Sequence, residues 1–138
     1  MTAIIICDRG ISHELVRHRI ASYCQESTRY CNYSKGKFGS EITVVEPTFI
    51  NENDGVYHTW QRACEAAEVA YFDLIAESAT PQQARDVLPT SLKTQIAVTM
   101  NIREWRHFFR LRCSPAAHPD MVELACRGLV EFYNRFPV

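Results

Sequence analysis

Apolar and polar positions along this chain follow two periods, which together predict short strands and longer helices. A short apolar run predicts a buried strand from Ala3 to Cys7, followed by a turn at 8–10. Residues 41–45 predict a further strand, which Pro47 closes. Strict alternation predicts a strand over Lys93–Met100, with one side formed by Thr94, Ile96, Val98 and Met100.

Apolar residues three or four positions apart, together with capping residues, predict the helices. Ser12 is the predicted N-cap of a helix that runs through Arg19. Asn53 or Asp54 is the predicted N-cap of the longest helix, which reaches Glu77. The apolar stripe of this helix is predicted to contain Val56, Trp60, Ala63, Ala67, Ala70 or Tyr71, and Leu74.

Three later helices begin at capping signals. Thr80–Gln83 forms a capping box and opens a short helix that carries Arg85 and ends before Pro89. Asn101 starts a helix that carries Arg103, Arg106, His107, Arg110 and Arg112. His118 starts the last helix, whose predicted buried stripe is Met121, Leu124, Ala125, Gly128 or Leu129, Phe132 and Phe136.

Two segments lack a clean period and are predicted as loops. One follows Arg19 and is rich in hydroxyl groups, which suits a loop wrapped around a ligand, and the other covers residues 35–39. Helices and a few non-adjacent strands predict an α+β fold, with the helices packed on a small mixed or antiparallel sheet. A length of 138 residues with 46% hydrophobic residues indicates one domain over residues 1–138.

Charge and composition narrow the function. The net charge of −1 gives the chain no overall attraction for nucleic acid, whereas arginine outnumbers lysine by twelve to three, which favours shaped anion recognition. No apolar run approaches the roughly 18 residues of a membrane span, and Ile4–Ile6 is too short for a signal peptide. Six cysteines without a C-x-x-C pair predict reduced thiols in a cytoplasmic protein. The five histidines lack ligand spacing, so no metal site is predicted.

Chemically versatile side chains crowd into residues 14–30. This stretch contains Arg17, Arg19, Arg29 and His18, together with hydroxyl groups at Ser22, Ser27 and Thr28. Isolated arginines are most often ordinary surface residues. A guanidinium group, however, fits a phosphate or carboxylate in bidentate fashion, so a cluster this dense indicates an anion site.

Three motifs of the chain, in order, resemble the flavin-dependent thymidylate synthase (ThyX) family. The first is Arg17-His18-Arg19, then seven residues, then Ser27 and Arg29-Tyr30; the second is Ala84-Arg85-x-x-Leu88-Pro89. The third is Asn101-x-Arg103 with Leu111-Arg112 and, further on, Ala117-His118-Pro119. One such motif is weak evidence, but three in order are specific. The resemblance runs from about Cys7 to the C-terminus.

This resemblance implies a ThyX-like fold and a reductive methylation of dUMP to dTMP. In the family FAD is the cofactor, NADPH reduces it, and methylenetetrahydrofolate supplies the carbon. The resemblance also implies a homo-oligomer, namely a tetramer with active sites between subunits. Family members usually carry several dozen residues before this point, whereas sixteen precede Arg17 here. A shortened natural form or a fragment is therefore expected.

The resemblance assigns roles residue by residue. It makes Arg112 the catalytic residue, where a permanent cation faces the uracil and stabilises developing negative charge. The implied cofactor-binding residues are Arg17, His18, Arg19, Gln25, Asn101, Ile102, Arg103 and His107. The implied substrate-binding residues are Glu14, Arg17, Gln25, Glu26, Ser27, Thr28, Arg29, Arg85 and Arg112. Departures from the commonest family pattern occur at Glu14, Cys24, Gln25 and His107.

Other interpretations stay open beside this one. A non-catalytic flavin- or nucleotide-binding member would keep the anion site without the full reaction. A nucleic-acid binder using the arginine-rich helix is disfavoured by the net charge of −1. Ser27 with His18 as its base would need a third group to orient the histidine, and the sequence shows none. Cys113, beside Arg112, is the cysteine to test as a nucleophile.

Overall fold

The computed structural model describes residues 1–34 and 41–136. This part of the chain forms three strands and five α-helices. In chain order the elements are β1 (Thr2–Asp8), α1 (Arg9–Leu15), β2 (Ser22–Gln25), α2 (Gly55–Ala76), α3 (Pro81–Ala84) with a 3₁₀ turn (Arg85–Val87), β3 (Lys93–Thr99), α4 (Ile102–Arg112) and α5 (Pro119–Arg135). None of the described helices combines the length and apolar character that crossing a membrane requires.

The sheet is small and antiparallel, and β3 is its central strand. The order is β1-β3-β2, with Ile5 opposite Ile96 on one side of β3 and Tyr23 opposite Val98 on the other. The predicted α+β class is therefore confirmed. The alternation predicted for β3 is also confirmed, because Thr94, Ile96, Val98 and Met100 are all buried.

The larger core lies between one face of this sheet and helices α1, α4 and α5. Ile96 and Val98 of the sheet pack there with Leu15, Phe108 and Met121 from the three helices. Four aromatic rings of α4 and α5 continue the cluster: Trp105, Phe108, Phe109 and Phe132. Burial of these large apolar side chains is the main favourable contribution to folding, and it fixes α1 beside α4.

A second, smaller core forms below α2. Tyr71 of α2 is fully buried against Ala84 and Leu92, and its ring meets that of Tyr33 edge to face at 5.6 Å. The Tyr71 hydroxyl accepts a hydrogen bond from the backbone N–H of Tyr33. Because Tyr33 follows the arginine-rich stretch in sequence, this contact anchors that stretch against α2 and α3.

The first helix begins earlier than predicted. Asp8, not Ser12, is the N-cap of α1, and its carboxylate accepts a hydrogen bond from Ile11 N at 2.6 Å. The predicted turn at 8–10 is wrong, because β1 leads directly into the helix. The predicted extension through Arg19 is also wrong, since α1 ends at Leu15. Ser12 instead lies buried within the helix and donates to the carbonyl of Arg9.

Two strand predictions are corrected. The predicted loop after Arg19 contains β2, which pairs with β3 and ends with Glu26 N donating to Gln95 O at 2.9 Å. Residues 41–45 do not form a strand; they contribute one bridge, between Val44 and Leu92. The predicted loop over 35–39 lies outside the described residues.

The long helix is confirmed with Asp54 as its N-cap, and the predicted stripe is confirmed at Tyr71 but wrong at Val56 and Ala63. Val56 is 57% exposed and Ala63 is exposed, while Cys64 and Tyr71 are the buried residues. The predicted starts of α3, α4 and α5 are confirmed. On α5, Gly128 rather than Leu129 faces the core, where an added Cβ would lie 3.4 Å from Phe109.

Candidate functional site

Arg112, the last residue of α4, lies in a hydrogen-bonded network with the end of α1. Its Nη1 donates to Glu14 Oε2 at 2.8 Å, its Nη2 to the Glu14 carbonyl at 3.1 Å, and its Nε to His18 Nε2 at 2.9 Å. These bonds use three of the five N–H groups of the guanidinium. Among the described residues the other two N–H groups have no hydrogen-bond partner, and the side chain is 18% exposed.

His18 is the buried member of this network. Its ring lies 5.0 Å from the Phe108 ring, edge to face, and its Nδ1 lies 4.0 Å from Glu104 Oε1. Burial and the Arg112 charge, and to a smaller extent His107, lower the pKa of His18, while the Glu104 carboxylate opposes them. The imidazole is therefore neutral at pH 7, which leaves Nε2 free to accept from Arg112.

Glu104 and Tyr23 complete the network and were not predicted as site residues. Asn101 caps α4 by accepting from Glu104 N, whereas the Glu104 carboxylate lies beside His18. The Tyr23 hydroxyl contacts the carbonyls of Leu15, at 2.9 Å, and His18. Strand β2 thereby fixes the backbone between α1 and His18. A strand assignment for residues 22–25 would have been the signal that finds Tyr23.

The predicted phosphate segment, Ser27–Arg29, forms a turn that lies against α3. The Ser27 carbonyl accepts from Tyr30 N and Cys31 N, and Ser27 Oγ accepts from Arg29 N at 3.3 Å. The Arg29 side chain donates to Gln82 Oε1 at 2.7 Å. Arg85 follows Gln82 by one helical turn and is half-buried, with Asp86 3.9 Å from its Nε. The structure thus places Arg29 and Arg85 in adjoining elements.

The remaining predicted residues fall into two groups. Gln25 turns inward, where its Nε2 donates to Ser12 Oγ at 2.8 Å and to Thr94 Oγ1 at 3.2 Å. The others are exposed or half-buried at the surface: Arg17, Arg19, Glu26, Thr28, Asn101, Ile102, Arg103 and His107. Of these, His107 lies nearest the Arg112 network, with its ring 6.3 Å from that of His18.

A groove and a smaller cleft lie on the described surface, and only the cleft reaches a predicted site residue. A groove of about 780 Å³ follows the outer edge of β1 beside α5 and contains none of the predicted site residues. A cleft of about 270 Å³ reaches Glu14 and is also lined by Trp60 and His118. The Arg112 network is therefore at the margin of the smaller cleft, and the larger groove belongs to a different face.

Cys113 has the wrong chemistry for a nucleophile in this setting. Burial, then Cys126, raises the pKa of its thiol to about 11. The thiolate is the reactive form of cysteine, so the group is almost wholly unreactive at neutral pH. Within the described residues, no group of three or more histidine, cysteine or carboxylate side chains is arranged to hold a metal ion.

Helices on a small antiparallel sheet, with Arg112 held between α1 and α4, define an α+β protein with a cluster of arginines at the end of α1. The sequence profile of the thymidylate synthase complementing protein family matches residues 1–138, and the chain belongs to that family. It is 38% identical over 129 residues to a protein of Pyrococcus furiosus named flavin-dependent thymidylate synthase. That match covers 94% of this chain and 52% of the relative.

Two further relatives carry the same name. The Geobacter sulfurreducens protein is 39% identical over 121 residues, covering 88% of this chain and 50% of the relative. The Mycobacterium tuberculosis protein is 33% identical over 136 residues, and the match covers 88% of this chain and 52% of the relative. The chain therefore spans about half the length of the curated relatives that it matches.

Proposed function

We propose that this chain binds FAD and dUMP and takes part in the reductive methylation of dUMP to dTMP, with NADPH and methylenetetrahydrofolate as co-substrates. The observation that carries the proposal is Arg112, which Glu14 and His18 hold in place with two N–H groups to spare. Membership of the family and the name of its relatives support the flavin and the reaction.

The exposed cations fit an anionic dinucleotide. Arg17, Arg19 and Arg103 are exposed, and within the described part of the chain none of them takes part in an ion pair. Free guanidinium groups suit a pyrophosphate, and the exposed start of α4 adds the positive end of a helix. In this proposal these residues, with His18, Gln25, Asn101, Ile102 and His107, hold FAD. When bound, FAD supplies the hydride chemistry.

The turn at Ser27–Arg29 is the proposed site for the phosphate of dUMP. Hydroxyl groups, turn N–H groups and the Arg29 guanidinium are the donors that a phosphate monoester accepts. Glu26 and Arg85 flank this turn in the proposal, and Arg85 approaches it from the α3 side. Gln25 and Glu14 are the remaining proposed contacts, and both side chains are oriented from within the chain: Gln25 Nε2 donates to Thr94, and Glu14 accepts from Arg112.

Arg112 is the proposed catalytic residue. Its guanidinium stays charged at all working pH values, and three bonds to Glu14 and His18 orient it before any ligand arrives. A cation that needs no reorganisation stabilises negative charge on a pyrimidine ring more than a mobile cation does. His18, neutral and buried, orients the guanidinium without adding a second charge.

The proposal is tested first by binding and then by turnover. The purified chain, incubated with FAD and desalted, is expected to retain flavin absorbance, and dTMP formation is then followed with both co-substrates. Arg112→Lys is expected to lower kcat by about a hundredfold. Arg29→Ala is expected to weaken dUMP binding chiefly. Equal, small effects of both variants on KM alone would contradict these separate roles.

A non-catalytic member of the family is the second candidate, because the chain spans only about half the length of its relatives. It would retain FAD and dUMP but form no dTMP under any combination of co-substrates. A chain that binds neither FAD nor dUMP would contradict both candidates.

We also propose that the chain assembles into a homo-oligomer, a tetramer whose active sites lie between subunits. Strand β1 is an edge strand of the described sheet, and Ile4 and Ile6 on its outer side are 66% and 61% exposed. An unpaired apolar edge favours pairing with another chain. Light scattering coupled to size exclusion, with and without FAD and dUMP, measures the mass. A mass of 15.9 kDa in both conditions would favour the non-catalytic candidate.

A further inference from the structure

Arg9 connects three segments that are distant in sequence. It is the first residue of α1, and its backbone N–H donates to the carbonyls of Thr90, at 2.9 Å, and Leu92, at 3.1 Å. Its side chain leaves the helix in another direction, and Nη2 donates to the Glu26 carbonyl at 2.8 Å. The residue therefore ties the start of α1 to the peptide that opens the turn Ser27–Arg29.

The charge of Arg9 is poorly compensated. Its Nε is buried and has no hydrogen-bond partner among the described residues. None of the ion pairs formed by the described residues involves Arg9. Burying a guanidinium donor without a partner is unfavourable, so packing alone gives no reason to place arginine here. The Arg9 guanidinium lies at the backbone of Glu26, whose carbonyl is its hydrogen-bond partner.

The backbone of Glu26 is held at both its N–H and its carbonyl, and the peptide group that joins Glu26 to Ser27 leads into the turn. Its N–H donates to Gln95 O at 2.9 Å, and its carbonyl accepts from Arg9. Ser27 follows immediately and supplies the carbonyl and hydroxyl oxygens that close the turn around Arg29. A change in the orientation of the Glu26 carbonyl would rotate the Ser27 N–H away from the ligand side of the turn.

We infer that Arg9 is a positioning residue for a phosphate monoester held at Ser27–Arg29, and that its charge adds to the attraction for that phosphate. The inference rests on the proposed function, which assigns dUMP to this turn. It goes beyond that function because it adds Arg9, which contacts the backbone of the turn, to the residues that determine phosphate binding. A bond from a charged donor fixes the carbonyl more firmly than a neutral bond, and the cation favours a dianion nearby.

The test compares two ligands that differ only in the phosphate. dUMP and deoxyuridine are titrated calorimetrically against the full chain and its Arg9→Met, Arg9→Gln and Arg9→Lys variants, and FAD binding is measured beside them. Arg62→Met is the matched control, because Arg62 is exposed on α2 and donates only to Thr59 within the described residues. Thermal unfolding of each variant reports whether it folds.

Arg9→Met is expected to lower the affinity for dUMP at least about tenfold, which is the effect of losing one charge-assisted hydrogen bond. The affinities for deoxyuridine and FAD should change less than about twofold, because neither ligand carries a phosphate monoester that would bind at this turn. Arg9→Lys should recover part of the dUMP affinity by restoring the charge, and Arg9→Gln should recover less. If Arg9→Met does not fold, the affinities for dUMP and deoxyuridine are compared in Arg9→Gln instead.

Two results overturn the inference alone. One is a folded Arg9→Met or Arg9→Gln variant that binds dUMP as tightly as the parent chain. The other is a loss of dUMP, deoxyuridine and FAD affinity in equal proportion, which would make Arg9 a structural residue only. A parent chain that binds neither dUMP nor FAD refutes the proposed function itself, and with it the inference.

Discussion

Replacing Arg112 by methionine isolates the contribution of its network to stability. Methionine keeps most of the apolar stem but removes three hydrogen bonds, to Glu14 Oε2, the Glu14 carbonyl and His18 Nε2. The Glu14 side chain is 34% exposed, so water replaces its lost partner. His18 Nε2 is different, because the residue is buried and its acceptor would stay unsatisfied.

The size of the effect follows from these environments. An unsatisfied buried acceptor costs about 1–3 kcal/mol. The partly exposed ion pair contributes at most about 1 kcal/mol, and the lost cation at the end of α4 roughly 0.3–1 kcal/mol. Because these contributions overlap, we expect Arg112→Met to lower the free energy of unfolding by about 2–4 kcal/mol. Glu14→Gln should lower it by less than about 1 kcal/mol.

Urea unfolding followed by circular dichroism measures these free energies. Arg106→Met is the matched control on the same helix, since Arg106 is exposed and forms no ion pair among the described residues. We expect its free energy of unfolding to change by less than about 0.5 kcal/mol. An NMR titration of His18 provides a second measurement, because loss of the Arg112 cation should raise its pKa.

One result would refute this reasoning. If Arg112→Met is no less stable than Arg106→Met and the pKa of His18 is unchanged, the guanidinium does not contact His18 in solution. A stability loss without a change in the pKa of His18 would place the lost interaction at Glu14 instead.

Three further measurements test the structure away from Arg112. Because the pKa of His18 is lowered, the unfolded chain takes up its proton first as pH falls below about 6.5, so stability falls with it. His18→Gln should therefore lose less stability than the parent chain between pH 7 and 5; parallel losses would contradict this. Iodoacetamide at pH 8 should modify exposed Cys24 well before Cys113, as peptide mass spectrometry would show, and equal rates would contradict the pKa of about 11 for Cys113. Asp54→Ala should lower the free energy of unfolding by about 1 kcal/mol through loss of the α2 cap; no change would mean that the cap is dispensable.

The parts of the fold that the sequence predicts correctly are those that local chemistry determines. The alternation in β3 appears because the strand buries one face only, and Asp54 and Asn101 cap their helices through their own side chains. The start of α1 was missed because Asp8 and Ser12 are equally good caps on local grounds. Burial of Ser12 and Ile11 against the sheet decides between them.

Strand β2 and the stripe of α2 required tertiary information. Four residues are too few for a period, and β2 forms because an edge of β3 is there to pair with it. Val56 is apolar and correctly spaced, yet no described segment covers it; of the predicted stripe Tyr71 is fully buried, and Cys64, outside the stripe, is buried as well. Periodicity shows which side of a helix is apolar, whereas packing decides how much of that side is covered.

In the candidate site, too, the sequence predicts the residues but not the tertiary contacts between them. Its charged residues are conspicuous in the sequence, and the prediction included Glu14, His18 and Arg112. The contacts between them were not predictable, because Arg112 and His18 are 94 positions apart. The sequence does not mark Glu104 or Arg9 as a site residue, because Glu104 looks like part of a helix cap and Arg9 like a residue of a turn. Both acquire a role only when α1, α4 and β2 come together.

The position of Arg112 also explains why a lysine would not replace it. The guanidinium lies at the C-terminal end of its own helix and donates to a carbonyl in the last turn of α1, so two negative helix ends face it. The Glu14 carbonyl, the Glu14 carboxylate and neutral His18 accept from three different N–H groups of Arg112, which the planar guanidinium fork supplies together. An ammonium group could satisfy one or two of them, and would leave the buried histidine without its donor. The arrangement thus selects arginine for its shape through contacts within the chain itself.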